Sequence, residues 1–295
     1  MSITVISNFY IDSDERFLRL KSSLDSFIDA DISKWILNVR GSLADKVGLY
    51  LTKKLKDKLY LFNKNSKHGW AYDTSEIAEL IETEYVQYWV EDHICTISPK
   101  ELDDVYESII KSEIDIFNYS FFGLGSHFKE FNKLQYNTIG YVNYLKYDMN
   151  ANSIRQTNCK NLYRGIETFL VSLVSVFKTQ FFKKLLLEKF PILPIWPKHL
   201  PFNFEKNEKA TYLLPFNIGF PSIEIFASID DNGHIPKSSL ISRGLYPNRV
   251  DRDTMLRLRT TPQKRKFSFL RKVLKKNEFI VKVYILAKRI KYFIY

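Results

Sequence analysis

The chain has 295 residues, 45% hydrophobic and 15% aromatic, which is enough for a sizeable core and too apolar for a disordered chain. Its net charge of +11 is concentrated: between Lys264 and Tyr295 eleven Lys or Arg accompany one acid, Glu278, a net +10 that leaves +1 for residues 1–263. A nucleic-acid-binding protein would spread basic residues over a face of its folded body, so a nearly neutral body counts against that class.

In chain order, "ITVISNF" (Ile3 to Phe9) is a short apolar run rich in β-branched residues and reads as a strand. Phe17, Leu20, Leu24, Phe27 and Ile28 then recur at helical spacing. "KWILNVRGS" predicts a second strand stopping at Gly41, "DKVGLYLTKKL" a helix, and "KLYLFN" a third strand that breaks into "KNSKHGW". Asp73, Thr74 or Ser75 can cap a helix over "EIAELIET", and the next strand is Tyr85 to Val90. Ser98, Pro99 and Glu101 form a cap, a first-turn proline and a capping-box acid for "KELDDVYESIIKS", and "IDIFNYS" follows as a fifth strand. "NLYRGIETFLVSLVSVFKTQFFKKLLLEKF" predicts a long helix, apolar nearly all round in its first half. "PILPIWPKHLPF" must be an extended loop. Alternation of strands and helices over residues 1–120 implies a doubly wound, mostly parallel α/β sheet, in which ligands bind at the carboxyl ends of the strands.

That rule gives meaning to "YVQYWVEDHI", where an apolar strand runs directly into Glu91, Asp92 and His93. Buried parallel strands are apolar until they emerge, so these three side chains are placed at the crevice. Two carboxylates and an imidazole can hold a divalent ion that neutralises a diphosphate leaving group; the alternative is a polar loop capping a strand.

The order of strand "TVISNF", helix "RFLRLKSSLDSFI", strand ending "NVRGS", strand, "KHGWA", helix and "YVQYWVEDH" resembles the nucleotide-sugar half of the GT-A glycosyltransferases, specifically the family-two-like sugar transferases. The resemblance covers about residues 1–120 and implies a GT-A-like sheet followed by an acceptor-binding part over residues 121–250; the charge of the chain sets off residues 251–295 as a basic amphipathic tail. In that family the strand before the site ends in an Asp-x-Asp motif that meets the metal and the donor, and Glu91, Asp92 and His93 occupy its place. Glu91 and Asp92 are therefore expected to bind donor, and Asp92 and His93 a divalent ion. His93 stands where the family has its last Asp, which suits manganese better than magnesium and leaves metal-independent transfer as the alternative. Asn8 falls where the first strand meets the nucleotide, with Asp12 and Asp14 after it as donor groups or helix caps. Val39 and Arg40 replace the acidic pair the family places before Gly41 and Ser42; Arg40 either meets a base edge or phosphate of the donor or is a solvated strand end. Gly69 matches the glycine the family places before the helix that leads to the metal strand.

The resemblance implies sugar transfer from a nucleoside diphosphate, with inversion and a carboxylate base on the acceptor side. Candidates for that base are Glu224, Asp230 and Asp231 in "FPSIEIFASIDDNGH", although "DDNG" is also an ordinary turn. Trp70, Trp89 and Trp196 either stack on sugars or belong to the core. The rival enzyme, a nucleotidyltransferase, needs a glycine-rich basic loop after the first strand, and "SNFYIDSDE" has neither glycine nor base. Cys95 and Cys159 read as free thiols of a reducing compartment, and no signal peptide or membrane span is evident. With Phe267, Leu270, Val273 and Leu274 on one side of a basic helix, the tail is expected either to rest on an anionic membrane or to dock on the body. The expectation is thus a cytoplasmic enzyme of bacterial surface polysaccharide synthesis, peripheral on the inner face of the membrane and acting on a glycan or lipid-linked acceptor.

Overall fold

A computed structural model describes residues 3–119, 135–147, 173–187, 200–201, 204, 215–230 and 239–246. Residues 1–246 form one compact unit and residues 247–295 a second; all the described residues lie in the first. The tail therefore lies outside the described residues, as do Asp231, Cys159 and Trp196.

The alternation read from the sequence is present. Strand β1 (Ile3–Tyr10) leads to helix α1 (Asp14–Asp25), capped by the Ser13 side chain. Strand β2 (Ile32–Arg40), helix α2 (Ala44–Leu55) and strand β3 (Leu59–Phe62) follow. Helix α3 (Trp70–Ala78) precedes strand β4 (Tyr85–Tyr88). Strand β5 (His93–Cys95), helix α4 (Pro99–Lys111) and strand β6 (Ile116–Asn118) come next. Helix α4 has the expected Ser98–Glu101 capping box and first-turn Pro99. Helix α3 departs from expectation. It begins at Trp70 behind Gly69, whose φ of 97° permits the sharp entry, so Asp73 and Thr74 lie inside the helix rather than capping it. Buried Asp73 accepts from Ser66 N at 3.1 Å, and Thr74 donates to Trp70 O at 2.6 Å.

Later in the chain come β7 (Asn137–Ile139), β8 (Val142–Tyr147), β9 (Ser175–Lys178), α5 (Thr179–Leu187), β10 (Phe216–Pro221) and β11 (Phe226–Ser228). Nine strands form one sheet in the order β3-β2-β1-β4-β9-β6-β10-β8-β7. Pairings are parallel from β3 through β4 and between β6 and β10, while β9 and β8 run against their neighbours. The sheet is therefore mostly parallel in strand direction, as expected.

β9 corrects the sequence reading, which placed it inside one long helix. Residues 161–172 of that segment lie outside the described residues, and Ser175–Lys178 within it is a strand buried on both faces: Val176 packs into one core cluster and Phe177 into the other. A segment apolar on all sides fits either element, and here two strand neighbours take its backbone hydrogen bonds.

The two clusters lie on opposite faces of the sheet. Phe17, Leu20 and Leu24 of α1, Val47 and Leu51 of α2, and Leu102, Val105 and Ile109 of α4 pack on the face carrying Val5, Phe9, Leu37 and Trp89. Trp70 and Ile77 of α3 and Phe182 and Leu185 of α5 pack on the face carrying Ile6, Ile36, Val86 and Phe177. Trp70 and Trp89 are core residues, each 1% exposed, which removes them as sugar platforms.

At the carboxyl end of β2 the chain turns at Gly41, where φ is 102° and Ile11 crosses in close contact, its amide donating to Arg40 O at 2.8 Å. A Cβ on residue 41 would overlap the Ile11 carbonyl oxygen and lie 2.7 Å from its carbon. Both obstacles are backbone, so neither can rotate away. Gly41→Ala is expected to lower stability by about 3 kcal/mol or more, combining left-handed strain with this overlap. Urea unfolding checks it; an unchanged midpoint would show that the turn relaxes freely.

Candidate active site

The acidic turn sits where the sequence rule placed it. β4 ends at Tyr88 opposite Ile6 of β1, which itself runs on to Tyr10; Trp89 N donates to Ile6 O at 2.9 Å, and the chain then turns through Glu91 and Asp92 into β5. Helix α1 holds the far side of this turn. Trp89 Nε1 donates to Ser23 Oγ at 2.8 Å, Ser23 Oγ donates to His93 O at 2.5 Å, and Cys95 N donates to Ser26 Oγ at 2.9 Å.

β5 pairs antiparallel with β11, which sets Ser228 opposite His93. One rung beyond, Ile229 N donates to Asp92 O at 2.8 Å, so Asp230 is delivered beside the acidic turn. Its carboxylate pairs with Arg19 of α1, Nη1 to Oδ2 at 2.5 Å, and Arg19 Nη2 also donates to Glu15 Oε1 at 2.7 Å. The structure thus brings Asp230, after β11, beside Glu91 and Asp92 of the turn before β5. It does not bring Glu224 there. Thr96 Oγ1 bonds Glu224 O at 2.8 Å near the other end of the two-stranded ribbon, and Arg243 holds the Glu224 carboxylate at 2.9 Å. At the rise of an extended strand this is on the order of 15 Å from the acidic turn.

Two groups expected to touch the donor have other partners. Asn8 uses its full hydrogen-bonding capacity inside the protein: Nδ2 donates to Thr74 Oγ1 at 2.9 Å and Trp70 O at 3.3 Å, while Oδ1 accepts from Asn38 Nδ2 at 2.9 Å and Arg40 Nε at 2.8 Å. Its side chain is a clamp for Arg40. Arg40 is 2% exposed, which corrects the alternative of a solvated strand end. Burial pulls the pKa of this guanidinium below its ordinary value, and the Tyr10 ring lies 5.8 Å from its Cζ.

The turn is electrostatically uneven. Burial, then the charge of Asp92, pushes the Glu91 carboxyl up to about 6. Burial also acts to raise Asp92, but His93 and the Arg19 guanidinium outweigh it and hold Asp92 below the ordinary carboxylate range. Folding therefore favours protonated Glu91. Its contribution is fullest below pH 4.5 and is lost as pH rises through about 6, a swing of roughly 2 kcal/mol. Glu91→Gln, neutral at every pH, should raise the unfolding midpoint by a few degrees at pH 7.5 and leave it unchanged at pH 4. Equal shifts at both pH values in thermal unfolding would contradict this.

For a divalent ion the residues fit in part. Asp92 is partly exposed and holds His93 Nδ1 at 2.7 Å through Oδ1. The His93 ring is 4% exposed and stands edge-on to Tyr119 at 6.3 Å, which suits it to orienting Asp92 from behind. Among the described residues no three His, Cys, Asp or Glu groups gather to hold a metal. Asp92 could still hold an ion shared with substrate phosphates, since such ions often take only one or two protein carboxylates.

The sequence reading missed Arg19 and Glu15. Their spacing of four on α1 looks like a surface pair, and nothing local announces a partner at Asp230.

Fold and site together define an α/β protein with a group of carboxylates, Glu91, Asp92 and Asp230, past the carboxyl end of a central strand of a doubly wound sheet. Among solved structures the chain is similar to S. aureus TarS residues 1–349 in complex with UDP-GlcNAc, with 16% identity and a TM-score of 0.48 over 80% of this chain and 60% of that one. It is also similar to the mannosyltransferase PcManGT from Pyrobaculum calidifontis in complex with GDP-Man and Mn2+, with 10% identity and a TM-score of 0.45 over 79% of this chain and 58% of that one. The chain thus spans about three fifths of the length of each. No family model and no curated protein matches it.

Proposed function

We propose that the protein is a glycosyltransferase that moves a sugar from a nucleoside diphosphate to an acceptor hydroxyl with inversion. The observation that carries this reading is the Ile229 N to Asp92 O hydrogen bond, which places Asp230 next to the acidic turn at the strand ends. In this reading Asp92 and Glu91 receive the donor. Asp230 takes the proton of the acceptor hydroxyl as its oxygen attacks the anomeric carbon, and the bond from that carbon to the diphosphate breaks with its electron pair leaving on the diphosphate. A divalent ion held at Asp92 would supply charge neutralisation to that leaving group, manganese before magnesium only if His93 turned from Asp92 to the ion.

The acceptor proposed is a glycan or lipid-linked glycan of bacterial surface polysaccharide synthesis, reached from the cytoplasmic side. In this reading the eleven basic residues of the tail hold the enzyme on the membrane, each worth roughly 1 kcal/mol near an anionic surface. Salt-sensitive binding to anionic vesicles, lost on truncation after Pro262, is the expected result in a flotation assay; equal binding by both forms would refute the anchor. The donor reading is tested by thermal unfolding with uridine, guanosine, cytidine and thymidine diphosphates, each with and without manganese. At least one should stabilise the protein, and stabilisation by none would remove the donor site.

A further inference from the structure

Arg19 projects from the middle of α1 into the space between the acidic turn and the segment after β11. Its fork is divided between two carboxylates, Glu15 Oε1 at 2.7 Å and Asp230 Oδ2 at 2.5 Å, and its side chain is 14% exposed. Burial acts to lower its pKa, yet Asp230 and Glu15 outweigh burial and raise it, so the cation is firmly charged. The same charge is felt at Glu91 and at Asp92. The third donor position, Nε, is buried without a hydrogen-bond partner among the described residues. A buried unmet N–H opposes stability, and departures of that kind concentrate at functional sites. The helix that carries Arg19 also pins the acidic turn through Ser23 and Ser26. One rigid element therefore fixes both sides of the crevice.

We infer that Arg19 is the positioning residue of the acceptor side: with Glu15 fixing its fork, it sets where the Asp230 carboxylate stands relative to Asp92. This rests on the proposed transferase reading and deepens it. Arg19 touches neither donor nor acceptor in this account. It acts through Asp230, whose displacement by about 1 Å would cost on the order of a hundredfold in rate.

The test is steady-state kinetics on the full chain, with the nucleotide sugar whose diphosphate stabilises the protein, alongside thermal unfolding. Arg19→Gln should lower kcat by tenfold to about a hundredfold with the donor KM changed less than about threefold. Arg19→Lys should recover only part of the loss, because an ammonium cannot span both carboxylates as the planar fork does. Arg19→Gln combined with Asp230→Asn should be no slower than Asp230→Asn alone, since the two residues act as a unit. Wild-type kcat in Arg19→Gln, or losses that multiply in the double variant, would overturn the inference. If Arg19→Gln does not fold, Arg19→Lys carries the same comparison, because it keeps the stem and the charge. Failure of the underlying reading looks different: a wild-type protein that transfers sugar from no donor, or an Asp230→Asn variant with full activity, removes the role that Arg19 would serve.

Discussion

Asp92→Asn is expected to lose sugar transfer by about a thousandfold or more while remaining folded. Among the described residues Asp92 is the partly exposed carboxylate of the turn held below the ordinary range, and in the proposed reading removing its charge removes the anchor of the divalent ion that would neutralise the departing diphosphate. Asparagine keeps an oxygen for His93 Nδ1, whereas Asp92→Ala would also strand that buried nitrogen at a cost of about 1–3 kcal/mol. The pair of variants thus separates chemistry from support. Both should be inactive, and only the alanine variant should unfold at lower temperature. Full activity in Asp92→Asn, measured by release of the nucleoside diphosphate, would remove the acidic turn from the site.

Asp230→Asn should lose about a hundredfold or more in turnover and leave donor binding intact, because a general base acts on the acceptor and only in the transition state. Glu224→Gln is the internal control. Glu224 sits toward the other end of the ribbon in a pair with Arg243, so its amide should keep near-normal turnover. Asp231→Asn tests the neighbouring acid, which lies outside the described residues. A fast Asp230→Asn beside a slow Asp231→Asn would move the base by one residue; a slow Glu224→Gln would contradict the ribbon geometry as the basis of the assignment.

Residues with a local cause were the legible ones. An apolar strand that ends abruptly on three ionisable side chains points to a crevice, because burial forbids such a run until the strand emerges. Ser98, Pro99 and Glu101 announced α4 because capping is settled within one turn. What stayed hidden depends on partners far away in sequence. Val174 to Phe177 could not be told from a helix until β4 and β6 were seen on either side. Asn8 looked like a donor contact because its four hydrogen bonds are made with two distant segments of the chain, β2 and α3. His93 looked like an open ligand because neither its pairing with Asp92 nor its enclosure beside Tyr119 leaves a mark in the tripeptide. That Asp230 lies beside the acidic turn and Glu224 away from it follows from the register of β5 on β11, which no motif specifies.

The most direct measurement is a structure of the full chain with whichever nucleoside diphosphate stabilises it, grown with manganese. The expected result places the diphosphate past the end of β4, within coordination reach of Asp92 through the ion, with Asp230 on the acceptor side. A nucleotide bound elsewhere, or a diphosphate remote from Asp92, would contradict the account.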